Sequence, residues 1–175
     1  MSDGLFYVLL PRFNMFSLTN LMEPARIANY LSAEDLYQKT YLSFDGPNIM
    51  SSNGMMVECQ MAPKQMARDD LIFIVGSWGA EHYANRKLFS WLRVQARNGV
   101  RICAVEMGAY ILARAGLLAQ RSATMHWSYL AGFQEQFPDV DVQEQLFTED
   151  GPILCCSGAT AGLDLMLYII GGRHG

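Results

Sequence analysis

Glu106 stands where an apolar stretch, Ile102 to Val105, gives way without a loop to helix-forming residues from Met107 onward. A buried strand that runs straight into a helix forces the corner residue outward over the sheet edge, the geometry of a nucleophile elbow. Small neighbours, Ala104, Gly108 and Ala109, let the backbone make that turn. Ala109, Leu112 and Ala113 share one helical face, and Gly116 ends the helix. A serine or cysteine at the corner would point to acyl transfer, because either can attack a carbonyl. A carboxylate points instead to holding a cation or moving a proton. In the first turn of a helix it is favoured by the macrodipole by roughly 0.3–1 kcal/mol.

Other residues fit a cation site. Gly76-Ser77-Trp78-Gly79 follows the apolar run Leu71 to Val75. Two glycines in four residues after a strand make a tight loop at its carboxyl end, where open α/β sheets bind ligands. That loop offers the Trp78 ring, and the backbone N–H groups of Gly76, Ser77 and Gly79 could receive an anionic group on the same ligand. Trp127, beside His126, offers a second aromatic face, and aromatic faces attract quaternary ammonium groups, which have no N–H to donate. Met107, next to the corner, completes the local set. Each has a plainer role open to it. Glu106 can cap its own helix or pair with Arg114 or Arg121; Trp78 can fold onto the surface or into a dimer contact; Trp127 can be core; His126 and Ser157 can be helix caps. Beyond His126 the only histidines are His82 and His174, at no metal-ligand spacing, so neither a metal nor another cofactor is expected.

The elements that must position these residues alternate along the chain. Leu5 to Leu10 is continuously apolar, as a central parallel strand covered on both faces would be, and Pro11 ends it. Ser17 to Leu31 carries Leu18, Leu21, Met22, Ala25 and Ala28 at helical spacing. Leu36 to Phe44 reads as a strand, and Ser51-Ser52-Asn53-Gly54 as the turn of a small hairpin. A helix from Tyr83 to Asn98, with Leu88, Leu92 and Ala96 inward, stops at Gly99. After the elbow, Ala119 to Thr124 is polar and small, and a helix from Met125 runs to Phe137 before Pro138. Val140 and Val142, Leu146 and Phe147, then Ile153 to Cys156 read as short strands, and Ala161 to Ile170 as the last helix. Strands alternating with helices throughout predict an α/β three-layer sandwich around a mainly parallel sheet. The closing GGRHG, residues 171–175, reads as the start of a linker after a domain spanning residues 1–170.

Composition narrows the function classes. A chain of 175 residues with 51% hydrophobic content suits one domain with a substantial core. A formal charge of −4 and the lack of any Lys/Arg run argue against a nucleic-acid-gripping face. LFYVLL is too short and too acidic in its lead for a signal peptide, and no stretch approaches a membrane span. Cys59, Cys103, Cys155 and Cys156 show no C-x-x-C spacing and suit reduced, structural thiols in the cytoplasm.

The stretches ARAGLLAQRSATMHW, FPDV, LFTEDG and CCSGATAGLDLMLYII resemble the N-terminal domain of AraC-type transcription regulators. That domain is class I glutamine amidotransferase-like, a flavodoxin-like fold shared with intracellular-protease and deglycase enzymes. The spaced combination G-A-x-x-L-A-x-A-G-L-L, T-x-H-W and S-G-x-x-A-x-x-D carries the resemblance, which covers nearly the whole chain and is strongest from Gly99 to Ile170. In the enzymes of that superfamily the corner residue is a cysteine nucleophile aided by an acid from the first loop. Here the corner is Glu106 and the first-loop position falls near Met15, so the resemblance implies that thiol catalysis is lost. It is similar to carnitine- and glycine-betaine-responsive regulators, which carry an acid at the corner in a pocket for a small quaternary ammonium compound.

Together these predict a non-catalytic effector-sensing domain. It would bind a small cationic metabolite such as carnitine or betaine, form a homodimer, and reach DNA only through a C-terminal helix-turn-helix domain absent from this chain. The alternatives are a small cytosolic hydrolase or deglycase of the same superfamily and a purely structural dimerisation domain.

Overall fold

The computed structural model describes residues 2–63 and 65–175. Eleven strands and five α-helices alternate along it. The strands are β1 (Asp3–Leu9), β2 (Tyr37–Ser43), β3 (Asn48–Met50), β4 (Met56–Glu58), β5 (Gln60–Met61), β6 (Leu71–Val75), β7 (Arg101–Val105), β8 (Ser122–Ala123), β9 (Asp141–Val142), β10 (Phe147–Asp150) and β11 (Ile153–Cys156). The helices are α1 (Met15–Ser32), α2 (Arg86–Arg97), α3 (Ala109–Arg114), α4 (Leu130–Gln136) and α5 (Ala161–His174). Seven strands form one sheet in the order β10-β11-β7-β6-β1-β2-β5, parallel except for β10, which closes one edge as an antiparallel hairpin with β11. This is the mainly parallel, three-layer α/β architecture the alternating pattern predicts.

Strand side chains alternate between two cores because successive residues point to opposite sheet faces. Leu5, Tyr7 and Leu9 of β1, Phe73 of β6 and Val105 of β7 pack beneath α1 and α5, against Leu18, Leu21, Leu165 and Met166. Val8, Ile72, Ile74, Ile102 and Ala104 face α2, α3 and α4, against Leu88, Leu92, Leu112 and Phe133. Every residue of β6 and β11 is buried, which is why these strands read as unbroken apolar runs rather than alternating ones.

Several boundaries differ from expectation. Asn14, expected in a loop before a helix starting at Ser17, is the N-cap of α1: its side-chain oxygen accepts the N–H groups of Phe16 and Ser17. Met125 to Phe137 is not one helix; His126 precedes a 3-10 turn, Trp127–Tyr129, and α4 begins only at Leu130. Part of the polar stretch before it is β8, paired in parallel with β9. The last helix also runs further than the Ile170 end expected for it. Gly171 to His174 continue α5, Arg173 forms an ion pair with Asp3 at the start of β1 and donates to the Asp69 carbonyl at 3.0 Å, and His174 meets the Tyr37 ring edge-on at 5.4 Å. Tertiary contacts from β1, β2 and the loop before β6 hold two glycines helical where their propensity alone opposes it. Among the described residues no helix is long and apolar enough to cross a membrane.

Candidate functional site

β7 delivers Glu106 into a left-handed backbone conformation, φ +59°, as the first residue of a 3-10 turn, Glu106–Gly108, that leads into α3. A non-glycine residue held there stores strain of order 1 kcal/mol and persists only where the surroundings impose it. Two close backbone approaches impose it here. Gly108 lies so near β6 that a Cβ on it would fall 2.4 Å from the Ile74 carbonyl oxygen, and a Cβ on Gly76 would fall 3.0 Å from the Gly108 nitrogen. The Gly76 N–H also donates to the Val105 carbonyl at 3.3 Å, tying the loop after β6 to the strand that carries the corner.

The Glu106 side chain is 3% exposed and has one oxygen saturated. Oε1 accepts Asn14 Nδ2–H at 2.9 Å, the Ser17 hydroxyl at 2.6 Å and the Ala159 N–H at 3.1 Å. The Ser17 hydroxyl oxygen in turn accepts the Ala159 N–H at 2.7 Å, so that amide is shared between the two acceptors. Asn14 is oriented by its two roles, its oxygen capping α1 and its NH2 facing the carboxylate. Oε2 accepts nothing from the described residues. The only buried side-chain polar atom without a partner among them is the Tyr37 hydroxyl, so Oε2 keeps contact with solvent. It does so through a cavity of about 70 Å³ lined by Asn14, Ser52, Ser77, Trp78, Glu106, Met107 and His126.

No arginine or lysine pairs with Glu106 among the described residues. Arg114 donates to the carbonyls of Glu81 and Tyr83, and Arg121 pairs with Asp150 at 2.8 Å, so neither is the counter-ion. Glu106 does not cap its helix through its side chain either. A deeply seated carboxylate held by three neutral donors through one oxygen, lining a cavity and with no cation beside it among the described residues, can accept a positive group or a hydrogen-bond donor there.

Of the sequence candidates, Trp78, Ser77, Met107 and His126 share that cavity with Glu106. Four do not. Met15, the first residue of α1, is partly buried against the core, and the position facing the corner is filled by Asn14 and Ser17. Gly76 is buried as a spacer, and Gly79 lies outside with its N–H donated to Glu81 at 2.8 Å, so neither offers an N–H to a ligand. Trp127, 73% exposed, stacks on His126 at 5.7 Å and lines a neighbouring groove, so the two tryptophans do not form one cage. The residues missed from sequence are Asn14, Ser17, Ser52 and Ala159. An Asn before a helix signals its capping role, but nothing in the sequence shows that its amide also turns toward a residue 92 positions away.

Thiol chemistry has no foothold here. All four cysteines are buried. Loss of solvation pushes the Cys59 thiol up to about 11, Cys155 and Cys156 up to about 12, and Cys103 well above its ordinary range. Raised, buried thiols are poor nucleophiles. At pH 8 a disulfide-exchange reagent such as DTNB is expected to leave all four unreacted in the native protein and to titrate all four after denaturation. A fast native thiol would revive the enzyme alternative.

Residues 7–171 match the sequence profile of the DJ-1/PfpI family. The chain belongs to the DJ-1/PfpI family. Among DJ-1/PfpI relatives it is 39% identical over 175 residues to the HTH-type transcriptional regulator CdhR of Pseudomonas aeruginosa, covering all of this chain and 52% of that protein. It is 37% identical over 169 residues to the HTH-type transcriptional regulator GbdR of the same species, covering 97% of this chain and 46% of that protein. The chain thus spans about half the length of the curated relatives it matches. The crystal structure of an AraC family transcriptional regulator from Pseudomonas putida superposes with a TM-score of 0.83 at 26% identity, over 99% of this chain and 93% of that one. Drosophila melanogaster DJ-1beta, at TM-score 0.77 and 16% identity, shares the fold. CdhR, GbdR and the Pseudomonas putida protein are all named as transcriptional regulators.

Proposed function

We propose that this chain is the non-catalytic, effector-sensing part of an AraC-type transcription regulator, and that it binds a small cationic, quaternary-amine-like metabolite at Glu106. The observation that carries this reading is the carboxylate oxygen Oε2, turned to a cavity and without a cation partner among the described residues, in a chain whose relatives are regulators. Trp78 and the His126 ring supply aromatic faces beside it. Binding would bias the Ala159 amide and the start of α5, which share the Glu106 hydrogen-bond cluster, and so reposition a helix-turn-helix domain beyond this chain. The setting is the cytoplasm, where such a regulator meets DNA.

A thermal-shift screen against quaternary amines, amino acids and polyamines tests it. Ligand at a hundredfold over Kd stabilises the fold by about 2.7 kcal/mol, a rise of roughly 5–11 °C in Tm for a domain of this size. A folded sample that responds to no cation would remove the sensor reading.

A homodimer belongs to the same proposal, and the groove between α1 and α5 supports it. Ile27, Leu31, Leu163 and Leu167 stand exposed along a trough of about 390 Å³. If a second copy packs there, Leu167→Glu yields a monomer in analytical ultracentrifugation with the Tm of its fold retained. A dimer unaffected by that substitution would place the interface elsewhere.

A further inference from the structure

The Glu106 cavity is too small to enclose a metabolite. At about 70 Å³ it holds the equivalent of two or three waters, whereas sites that bury a small-molecule ligand run to roughly 300–1,000 Å³. A cationic head can enter; the rest of the ligand must lie outside. A second cavity is an open groove of about 560 Å³. His126 lines both. Gly158 and Ala159, on the groove's wall, also touch Glu106: the Ala159 N–H donates to Oε1 at 3.1 Å, and a Cβ on Gly158 would lie 2.3 Å from the Glu106 Cδ. Gly158, at φ +92°, packs directly against the Glu106 carboxylate, an approach that only a residue without a side chain allows.

The lining changes character across His126. The small cavity sets Asn14, Ser52, Ser77 and Glu106 beside Trp78 and Met107. The groove presents Met125, Trp127, Leu130 and Leu146, with Glu144 as its one charged side chain. Neither cavity is lined by an arginine or lysine. Trp127 is 73% exposed and Leu146 57% exposed, large apolar surfaces left open beside a carboxylate. The groove is thus the more apolar of two compartments that share His126, with Glu106 in the smaller one.

Building on the Glu106 reading, we propose that the groove is the second subsite of a two-part site, and that its occupant is the aliphatic body of an amphiphilic cation whose charged head sits on Glu106. Trp127, misplaced as a cage wall, belongs to this body subsite. A bare ammonium compound would use one compartment and leave the other unfilled; a cation with several methylenes uses both.

Titration calorimetry with two probe series separates this proposal from the reading beneath it. The series are n-alkylammonium and n-alkyltrimethylammonium ions, from methyl to hexyl, kept below micelle-forming concentrations. Affinity is expected to rise about threefold per methylene from the third carbon, close to the full transfer value of roughly fourfold. The gain is expected to collapse in Glu106→Gln, because head and body bind together, and to flatten in Leu146→Ser. Head-group binding that depends on Glu106 but does not grow with chain length would overturn the two-part site and leave the sensor reading standing. A chain-length gain that survives in Glu106→Gln would also overturn it, since the alkyl body would then be binding elsewhere, as in the α1–α5 trough. No binding by any member would remove both.

Discussion

Glu106→Gln is expected to fold normally and to lose at least a hundredfold in cation affinity. Glutamine keeps an oxygen where Oε1 stands, so Asn14, Ser17 and Ala159 retain their acceptor. Its NH2 replaces Oε2 and turns two donors toward the cavity, where a cation needs an acceptor. Removing one partner of a desolvated charge pair costs about 2–5 kcal/mol, and 3 kcal/mol corresponds to a factor of roughly 150. Tm without ligand should move by no more than about 2 °C, because no donor is orphaned. Titration calorimetry on both proteins checks the affinity, and a thermal melt checks the fold. Equal affinities would take Glu106 out of the site. Ser17→Ala is the informative companion, since it removes one donor while the carboxylate remains.

The second large effect is structural. Gly108→Ala places a methyl 2.4 Å from the Ile74 carbonyl oxygen, a backbone atom inside the central sheet that cannot swing aside as a side chain would. Backbone torsion is no obstacle, because Gly108 sits at φ −59°, ψ −22°. The clash must instead push the 3-10 turn off β6, costing about 3 kcal/mol, or roughly 6–12 °C in Tm. The turn carries Glu106, so ligand response should fall along with stability. Gly132→Ala, where a Cβ meets nothing within 4 Å on α4, is the matched control and should be neutral or slightly stabilising. A Gly108→Ala protein as stable as its parent would show that the close approach to Ile74 is not what holds the corner.

Local patterns carried much of the architecture. LIFIV and ILCC read as strands because central parallel strands are buried on both faces and need no polar alternation. The corner at Glu106 was visible because an apolar run met small, helix-forming residues with no turn residue between them. The hairpin around Ser51 to Gly54 formed as its turn residues suggest, with Asn48–Met50 pairing Met56–Glu58. Composition misled about where the last helix ends: glycine propensity stops it at Ile170, but an ion pair to Asp3 and contacts on β2 keep it going to His174. It also misled with the tryptophans. Both are exposed aromatics in loops, and residue type alone does not say that Trp78 shares the Glu106 cavity while Trp127 faces the groove beyond His126.

What the sequence determined by itself is the frame: a parallel sheet, a carboxylate at a strained strand-to-helix corner, and Cys103, Cys155 and Cys156 consigned to strands. Each follows from interactions between residues a few positions apart, which propensity and periodicity record. What only the tertiary structure decided is the state of that carboxylate. Its three donors come from positions 14, 17 and 159, separated from residue 106 by 92, 89 and 53 residues, and Arg114 and Arg121 are engaged elsewhere. Hydrogen bonds across such separations depend on which loops the sheet order β11-β7-β6-β1 brings to one edge, and that order is set by packing of the whole chain.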